Sequence, residues 1–550
     1  MDIDFSILEK LQNSSIFKDE FKNLLSDKNL THNDKLTPLL ELLKSELNDI
    51  FYKDSNNLCT SIDNYHLKNY DFINITPYNG FDSSNPTNAR QNNYAWSMCD
   101  FGEYIYVGTG RNLIAAAIPH SVKNIKPPID FVSKNLDMTA EIWRYKKDGS
   151  LPWQRVFKSN VDYTGKACYS GFRALATFNP TGVKPCIYAG AISPYGVKIL
   201  KSTNGIDFYE ISTNILGTTR TIKEYNGKLY MAVMRDNFAS NDFPSLLYSS
   251  KDPDLYGWEL ETPNGKDGQN PVGSIWTIEE FNNHLYVGTS TPDGFQIWRT
   301  IGKYPKKDEW KLIVDKGAGD AANDAALTLQ SFGDYLYVGT ANNTLNPLFY
   351  VIPKGADLIR IDKSDNWELV IGGPAFTPTT PSTGSRKAPL SGFLSGFNNP
   401  YNYYIWQMKV YNDKLYVATY DSSIALEPYS ELFIKNYELL CNILSTELTN
   451  LSIILLKLQL NILSNLKDFL GCDLWVSSDG ITFNPISLNG FGNVYNYGVR
   501  NMLVTRENVL YIGTANPFQG CEVYKVRNPH KNNSIDSSKE IFNTSHFDVI

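Results

Sequence analysis

Seven positions, spaced along most of the chain, carry side chains suited to stacking on a ring or holding an anion: Trp96, Arg173, Arg220, Trp276, Leu327, Trp406 and Arg500. Each heads the same kind of phrase, with an apolar residue two places on and an aromatic-rich strand after that. Three indoles and three guanidiniums gathered at one rim would form an aromatic, cationic mouth, because both groups offer flat faces and the guanidinium adds a fork of donors. The plainer alternative is that each Trp packs between sheets and each Arg pairs with a nearby acid.

The loops leading into these positions are long: "NARQNNYAW" (88–96), "KGAGDAANDAAL" (316–327), "LSGFLSGFNNPYNYYIW" (390–406) and "GFGNVYNYGVR" (490–500). Turn chemistry accounts for Gly and Asn, but not for repeated tyrosines such as Tyr495 and Tyr497. Loops at the other end of the same hairpins add Arg111 in "GTGRN", Asp421 in "TYDSS" and Asn516 in "TANPFQG". The stretch "FGNVYNYGVRNM" (491–502) is therefore expected to form one wall of a shared pocket.

What must position these groups is a repeat. Seven phrases align: "AWSMCDFGEYIYVGTG", "FRALATFNPTGVKPCIYAGA", "TRTIKEYNGKLYMAV", "IWTIEEFNNHLYVGTS", "ALTLQSFGDYLYVGTA", "IWQMKVYNDKLYVATY" and "VRNMLVTRENVLYIGTA". Each reads as a strand, a tight turn rich in Asn, Gly or Asp, and a second strand of β-branched and aromatic residues. Third and fourth strands follow in "GFQIWRT" with "DEWKLIV", and in "DLWVSSDGITFNPIS". A small sheet recurring in this way buries both faces only by stacking on its neighbours, the mark of a β-propeller. The expected fold is all-β: a seven-bladed β-propeller over 67–527, a helical N-terminal region over 1–66, and a C-terminal tail over 528–550. "YDFINIT" (70–76) is expected to supply the missing fourth strand of the last blade, which removes an open edge. Two turns, "STNGIDF" and "SSDGITF", read as structural hairpins in which Ser and Asp or Asn bond the turn's own backbone.

Blade six is interrupted over 425–470 by a leucine-rich stretch without Gly, "ELFIKNYELLCNILSTELTNLSIILLKLQLNILSNLKDFL", compatible with two helices. It is too apolar to lie free in water. A hairpin packed on the propeller, a partner-protein or membrane-surface contact, and a lid over a greasy ligand all fit.

Composition narrows the function. A net charge of -7 argues against a nucleic-acid surface, which needs a clustered positive field. Seven cysteines without CxxC spacing, and six histidines of which only His284 lies in a repeat strand, argue against a disulfide framework, a zinc site and a four-histidine iron centre. No cofactor is required on this reading, although the oxygen-rich loops "KGAGDAAND" and "STPDG" suit a structural calcium ion. No signal-peptide pattern or membrane-spanning run is evident, so a cytoplasmic protein is expected, with a small hydrophobic or aromatic molecule as ligand and a partner protein possible at the insert.

The combination of this repeat with "SGFNNPYNYYIWQM", "YDSS" and "GFGNVYNYGVR…GTANPFQGCEV" resembles the bacterial propeller proteins that include the cylindrocyclophane-forming aromatic alkylating enzyme and its bartoloside-type O-alkylating relative. The resemblance spans roughly residues 80 to 527. It implies displacement of chloride from a secondary alkyl chloride by a resorcinol-type carbon or a carboxylate. On that pattern Arg90 or Arg111, with Tyr497 or Tyr495, would hold the departing halide, and Asp421 would be the base. Trp96, Arg173, Arg220, Trp276, Trp406, Tyr495 and Arg500 would bind substrate. The blade-six insert and the helical N-terminal region depart from the pattern. A propeller that only binds a small molecule or a partner through the same face is the competing expectation.

Overall fold

The computed structural model describes residues 72–527, apart from 113–135, 181, 183, 212, 235–244, 263–268, 343–352, 436, 445 and 466–469. The expected N-terminal helices and C-terminal tail lie outside these residues, as do Tyr70 and Asp71.

The chain is all-β and propeller-like. Its described strands pair as seven antiparallel four-stranded meanders, beginning with Asn92–Phe101, Gly171–Phe178, Thr218–Tyr225, Ser274–Phe281, Asn323–Phe332, Asn402–Tyr411 and Gly498–Val504. Tight hairpins turn the first strand into the second. Asn226–Gly227, Asn282–Asn283 and Asn412–Asp413 all adopt positive φ, the backbone that matches the twist of flanking strands. Neighbouring meanders touch at their inner strands through single bridges such as Gly110↔Gly171, Ser290↔Ala325 and Tyr420↔Gly498. The bridge Tyr94↔Ala515 joins the last meander to the first.

The last meander is completed from the other end of the described chain. Phe72–Asn74 pairs antiparallel with Val523–Val526. Past it, Ile75 N and Val523 O bond at 2.9 Å, and Val523 N donates to Thr76 Oγ1 at 2.9 Å. Trp153 Nε1 of the first meander reaches Ile75 O at 2.7 Å, so the added strand is fastened to both neighbours.

The core lies between meanders. Met98 packs with Ile105, Trp143 and Val523, and Met408 packs with Leu358, Val370 and Trp475. Each such buried side chain contributes about 1.5–3 kcal/mol. The two structural turns behave as expected: Ser477 and Asp479 bond the backbone of Gly480, Ile481 and Thr482, while Phe483 packs on Phe397.

The insert after Asp421 is helical where it is described, over Leu426–Lys435 (α1), Tyr437–Leu444 (α2) and Thr446–Asn465 (α3). Leu426 of α1 and Leu455, Leu456 and Leu463 of α3 join one buried cluster with Tyr94, Trp96, Leu327, Trp406 and Tyr497. The insert therefore lies across the end of the channel where the inner strands begin. Among the described residues, no helix is long and apolar enough to cross a membrane.

Candidate functional site

A single backbone device aims the rim residues. All seven inner strands slip register at an equivalent place, between Ala95 and Ser97, Phe172 and Ala174, Thr219 and Thr221, Ile275 and Thr277, Ala326 and Thr328, Ile405 and Gln407, and Val499 and Asn501; the first, fifth and sixth slip once more nearer the strand entry. The residue left without a cross-strand partner is in turn Trp96, Arg173, Arg220, Trp276, Leu327, Trp406 and Arg500. A β-bulge of this kind leaves one residue unpaired and redirects its side chain. Repeated around the ring, it brings six of the seven, all but Trp96, to the wall of one cavity.

The result is a central cavity of about 200 Å³ lined by Arg173, Arg220, Trp276, Leu327, Trp406 and Arg500, with Thr277, Thr328, Gln330 and Gln407 deeper in. Guanidiniums and indoles interleave there. Arg220 lies 3.9 Å above Trp276, Arg173 lies 5.1 Å from Trp96, and Arg500 stands between Trp96 at 5.6 Å and Trp406 at 5.2 Å. The plainer alternative holds for two of the indoles. A Cβ on Gly171 or Gly498 would fall against the Trp96 or Trp406 ring, so these two pack on the next meander.

For the arginines that alternative fails. Among the described residues, no carboxylate pairs with Arg173, Arg220 or Arg500. Nε and Nη1 of Arg173 are buried without a protein hydrogen-bond partner, and so is Nε1 of Trp276. Burial pushes the Arg173 guanidinium down to about 10. Burial, with repulsion from Arg173, pushes Arg500 to about 9, and burial with repulsion from both moves Arg220 well below its usual range. At the far end of the cavity Glu279 pairs with Lys223 beside the half-buried Lys409. A larger recess of about 350 Å³ at the closing seam, between Phe72, Phe491 and Tyr524, has no such gathering of donors.

The tyrosine- and asparagine-rich loops serve a different purpose from the one expected of them. In four meanders an Asn at the strand entry ties a preceding loop to an acid that leads into the third strand. Asn92 Nδ2 donates to Gly80 O and Glu141 Oε2, both at 2.9 Å. Asn323 bonds Gly317 O at 3.1 Å and Asp357 at 2.8 Å, and Asn402 bonds Gly396 O at 2.9 Å and Asp473 at 2.7 Å. Asn496 bonds Gly490 O at 2.9 Å and also Glu522. Each of these glycines and the residue after it has positive φ, from 61° and 55° at Gly317–Ala318 to 76° and 78° at Gly80–Phe81. The clasp was missed because its partners are distant in sequence, although the sixfold spacing from Gly317, Gly396 and Gly490 to the Asn was a usable signal. "FGNVYNYGVRNM" is thus a clasp up to Asn496 and a channel wall only from Arg500 onward.

The clasp bears on two expected roles. Arg111, fully buried, donates to Asn92 Oδ1 at 2.7 Å and to Asn88 Oδ1 at 2.9 Å, and pairs with Asp137 at 3.1 Å and Glu141 at 3.6 Å. Its donors are taken up inside the first meander, so it is not available to a halide. Calcium at "KGAGDAAND" meets the same difficulty. Asp320 accepts from Phe376 N and Thr377 N, and Lys354 Nζ stands 3.5 Å from both Asp320 and Asp357. A lysine ammonium already supplies the positive charge there.

Asp421 occupies in the sixth meander the register position that Arg111 holds in the first. It is buried, accepts from Ser423 N at 2.7 Å and Asn399 Nδ2 at 3.4 Å, and burial raises its carboxyl to about 6. Tyr497 is close by: Asp421 N donates to its carbonyl at 2.7 Å, and its hydroxyl meets that of Tyr94. Asp421, Tyr497 and Tyr94 lie outside the cavity lining, under the insert. Arg90 ends the short helix Pro86–Gln91, and Tyr495 packs edge-on against Phe518 at 5.3 Å; neither lines the cavity.

Neither a family model nor a curated protein matches this chain. Solved structures similar to it include the β-propeller domain of the Trilobed protease from Pyrococcus furiosus, at 7% identity and TM-score 0.37 over 78% of this chain and 94% of that one. The computationally designed Ika8 protein aligns at 9% identity and TM-score 0.34, over 79% and 97% of the two chains. An extracellular domain of a hybrid two component system from B. thetaiotaomicron aligns at 13% identity and TM-score 0.39. That alignment covers 79% of this chain, which spans 40% of the Bacteroides chain.

Proposed function

We propose that the chain is a seven-bladed ring, each meander one blade, that encloses a small molecule at the insert-covered end of its channel. The observation that supports this most directly is the repeated bulge. Seven strands each give up a ladder position to turn one side chain inward, around a cavity that the blade-six insert roofs with an apolar cluster. The cavity's exposed lining is mostly polar, so converging hydrogen-bond donors, which fix orientation in small-ligand pockets, would hold the ligand there. At about 200 Å³ it is smaller than the usual drug-sized site, so it takes a compact ligand or one end of a longer molecule. Ligand-observed NMR with benzyl alcohol tests the reading. Saturation transfer should occur with the full chain and fall in Trp406→Ala; absence of transfer from the wild type would reject an enclosed site.

A second reading, alkyl transfer with loss of chloride, is favoured by Asp421 alone. Its raised carboxyl is poised to take a phenolic proton near neutral pH as a C–C bond forms and the C–Cl bond breaks. Because the carboxyl is capped by Ser423 and Asn399, the root of the insert has to shift before it can act. Chloride release from a secondary alkyl chloride in the presence of resorcinol is the assay. Asp421→Asn should lower it about a hundredfold, and no release by the wild type would remove this reading.

A further inference from the structure

From the three unpaired guanidiniums we infer that the enclosed ligand is an anion, bound through carboxylate or phosphate oxygens by Arg173, Arg220 and Arg500. This rests on the enclosed-cavity reading and adds the chemical class of what is enclosed.

Three cations facing one another in a largely buried space repel, and each has given up much of its hydration. Among the described residues, other buried or half-buried arginines are neutralised. Arg111 has Asp137 and Glu141, Arg386 has Asp357 at 2.8 Å, and Arg299 has Asp365 at 2.8 Å. The channel triad breaks that habit where three arginines converge on a cavity. Indole faces 3.9–5.6 Å away offset part of the cost through cation–π attraction, yet leave the in-plane N–H donors unused. Arg173 Nε and Nη1 and Trp276 Nε1 are such donors, buried and without partners. A planar guanidinium presents its donors in a fork that matches the spacing of carboxylate or phosphate oxygens. An anion would satisfy those donors, relieve the repulsion and leave its carbon body against Trp276, Trp406 and Leu327.

Calorimetric titration of the full chain with benzoate, phenyl phosphate and benzyl alcohol separates the possibilities, since the three share a ring and differ in charge. At least one anion should bind tenfold or more tightly than the alcohol, and which one does so tells a carboxylate from a phosphate ligand. Arg220→Gln and Arg500→Gln should erase the difference, by lowering the affinity for the preferred anion tenfold or more. Arg500→Lys, which keeps the charge but not the fork, should retain part of it and guards against a folding artefact. Equal binding of anions and alcohol to the wild type would overturn the anion inference and leave the enclosed cavity standing. Failure of all three to bind would overturn both.

Discussion

A buried charge without a partner destabilises the state that holds it, which gives the channel arginines a measurable signature in the absence of ligand. Stacking on Trp276 is worth about 1–2 kcal/mol to Arg220, less than the several kcal/mol that desolvating an ion costs. Arg220→Met should therefore raise the thermal midpoint of the ligand-free protein by a few degrees, as read by calorimetry, while removing its response to an anion. A lower midpoint would mean that the arginine is held by partners after all. The acids under the insert carry the opposite charge and an equally clear sign. Burial, helped by the neighbouring Asp421, raises the Asp473 carboxyl to about 8, whereas the same burial at Asp357 is outweighed by Lys354 and Arg386, which hold it to about 2. Asp473 and Asp421 both keep their protons longer in the folded chain than in the unfolded one. Their contribution to stability is thus complete below about pH 4 and is lost as pH rises through about 6 and then about 8. Asp473→Asn, which imitates the protonated acid and still accepts from Asn402, should flatten the fall in thermal midpoint between pH 5 and pH 8.

At the scale of the element, the bulge and the clasp divide the work: one aims the channel residue, the other anchors the loop that precedes it. Removing Asn402 or Asn496 leaves a glycine carbonyl and an acid without their shared donor, at about 1–3 kcal/mol for each buried group. Asn496→Ala should consequently cost about 2–4 kcal/mol in denaturant titration, and Gly490→Ala should cost a further penalty of its own, because φ is 61° there and the new methyl would meet Asn496 O at 3.0 Å. These two devices also mark how far the sequence could be read. The rim positions are legible because a strand–turn–strand period places Trp96 through Arg500 ahead of each "LYVGT"-like phrase. The bulge at each was not legible, since a residue facing the channel by pleat and one turned there by a bulge look alike in one dimension. The partners of Arg111 were hidden for a different reason. Glu141 and Asp137 lie beyond a long insertion in the hairpin, and whether an arginine is free or neutralised depends on contacts that local pattern does not encode.

For the whole molecule, the insert and the closing strand decide access and integrity. Replacing residues 425–470 by a short Gly-Ser linker should leave the blades folded but uncover Tyr94, Trp406 and Tyr497, seen as stronger acrylamide quenching of tryptophan fluorescence and faster ligand exchange; unchanged quenching would mean that the insert does not roof the channel. The seam where Phe72–Asn74 meets Val523–Val526 bears on how the protein is made. Val523 and Thr76, bonded across that seam, are 447 residues apart in sequence. At synthesis rates of about 5–20 residues per second, the first of these strands leaves the ribosome roughly 20–90 s before its partner exists. Throughout that interval it is an unmatched edge, free to pair with a neighbouring nascent chain, so the yield of ring-closed molecules should depend on how crowded the polysome is and how fast it translates.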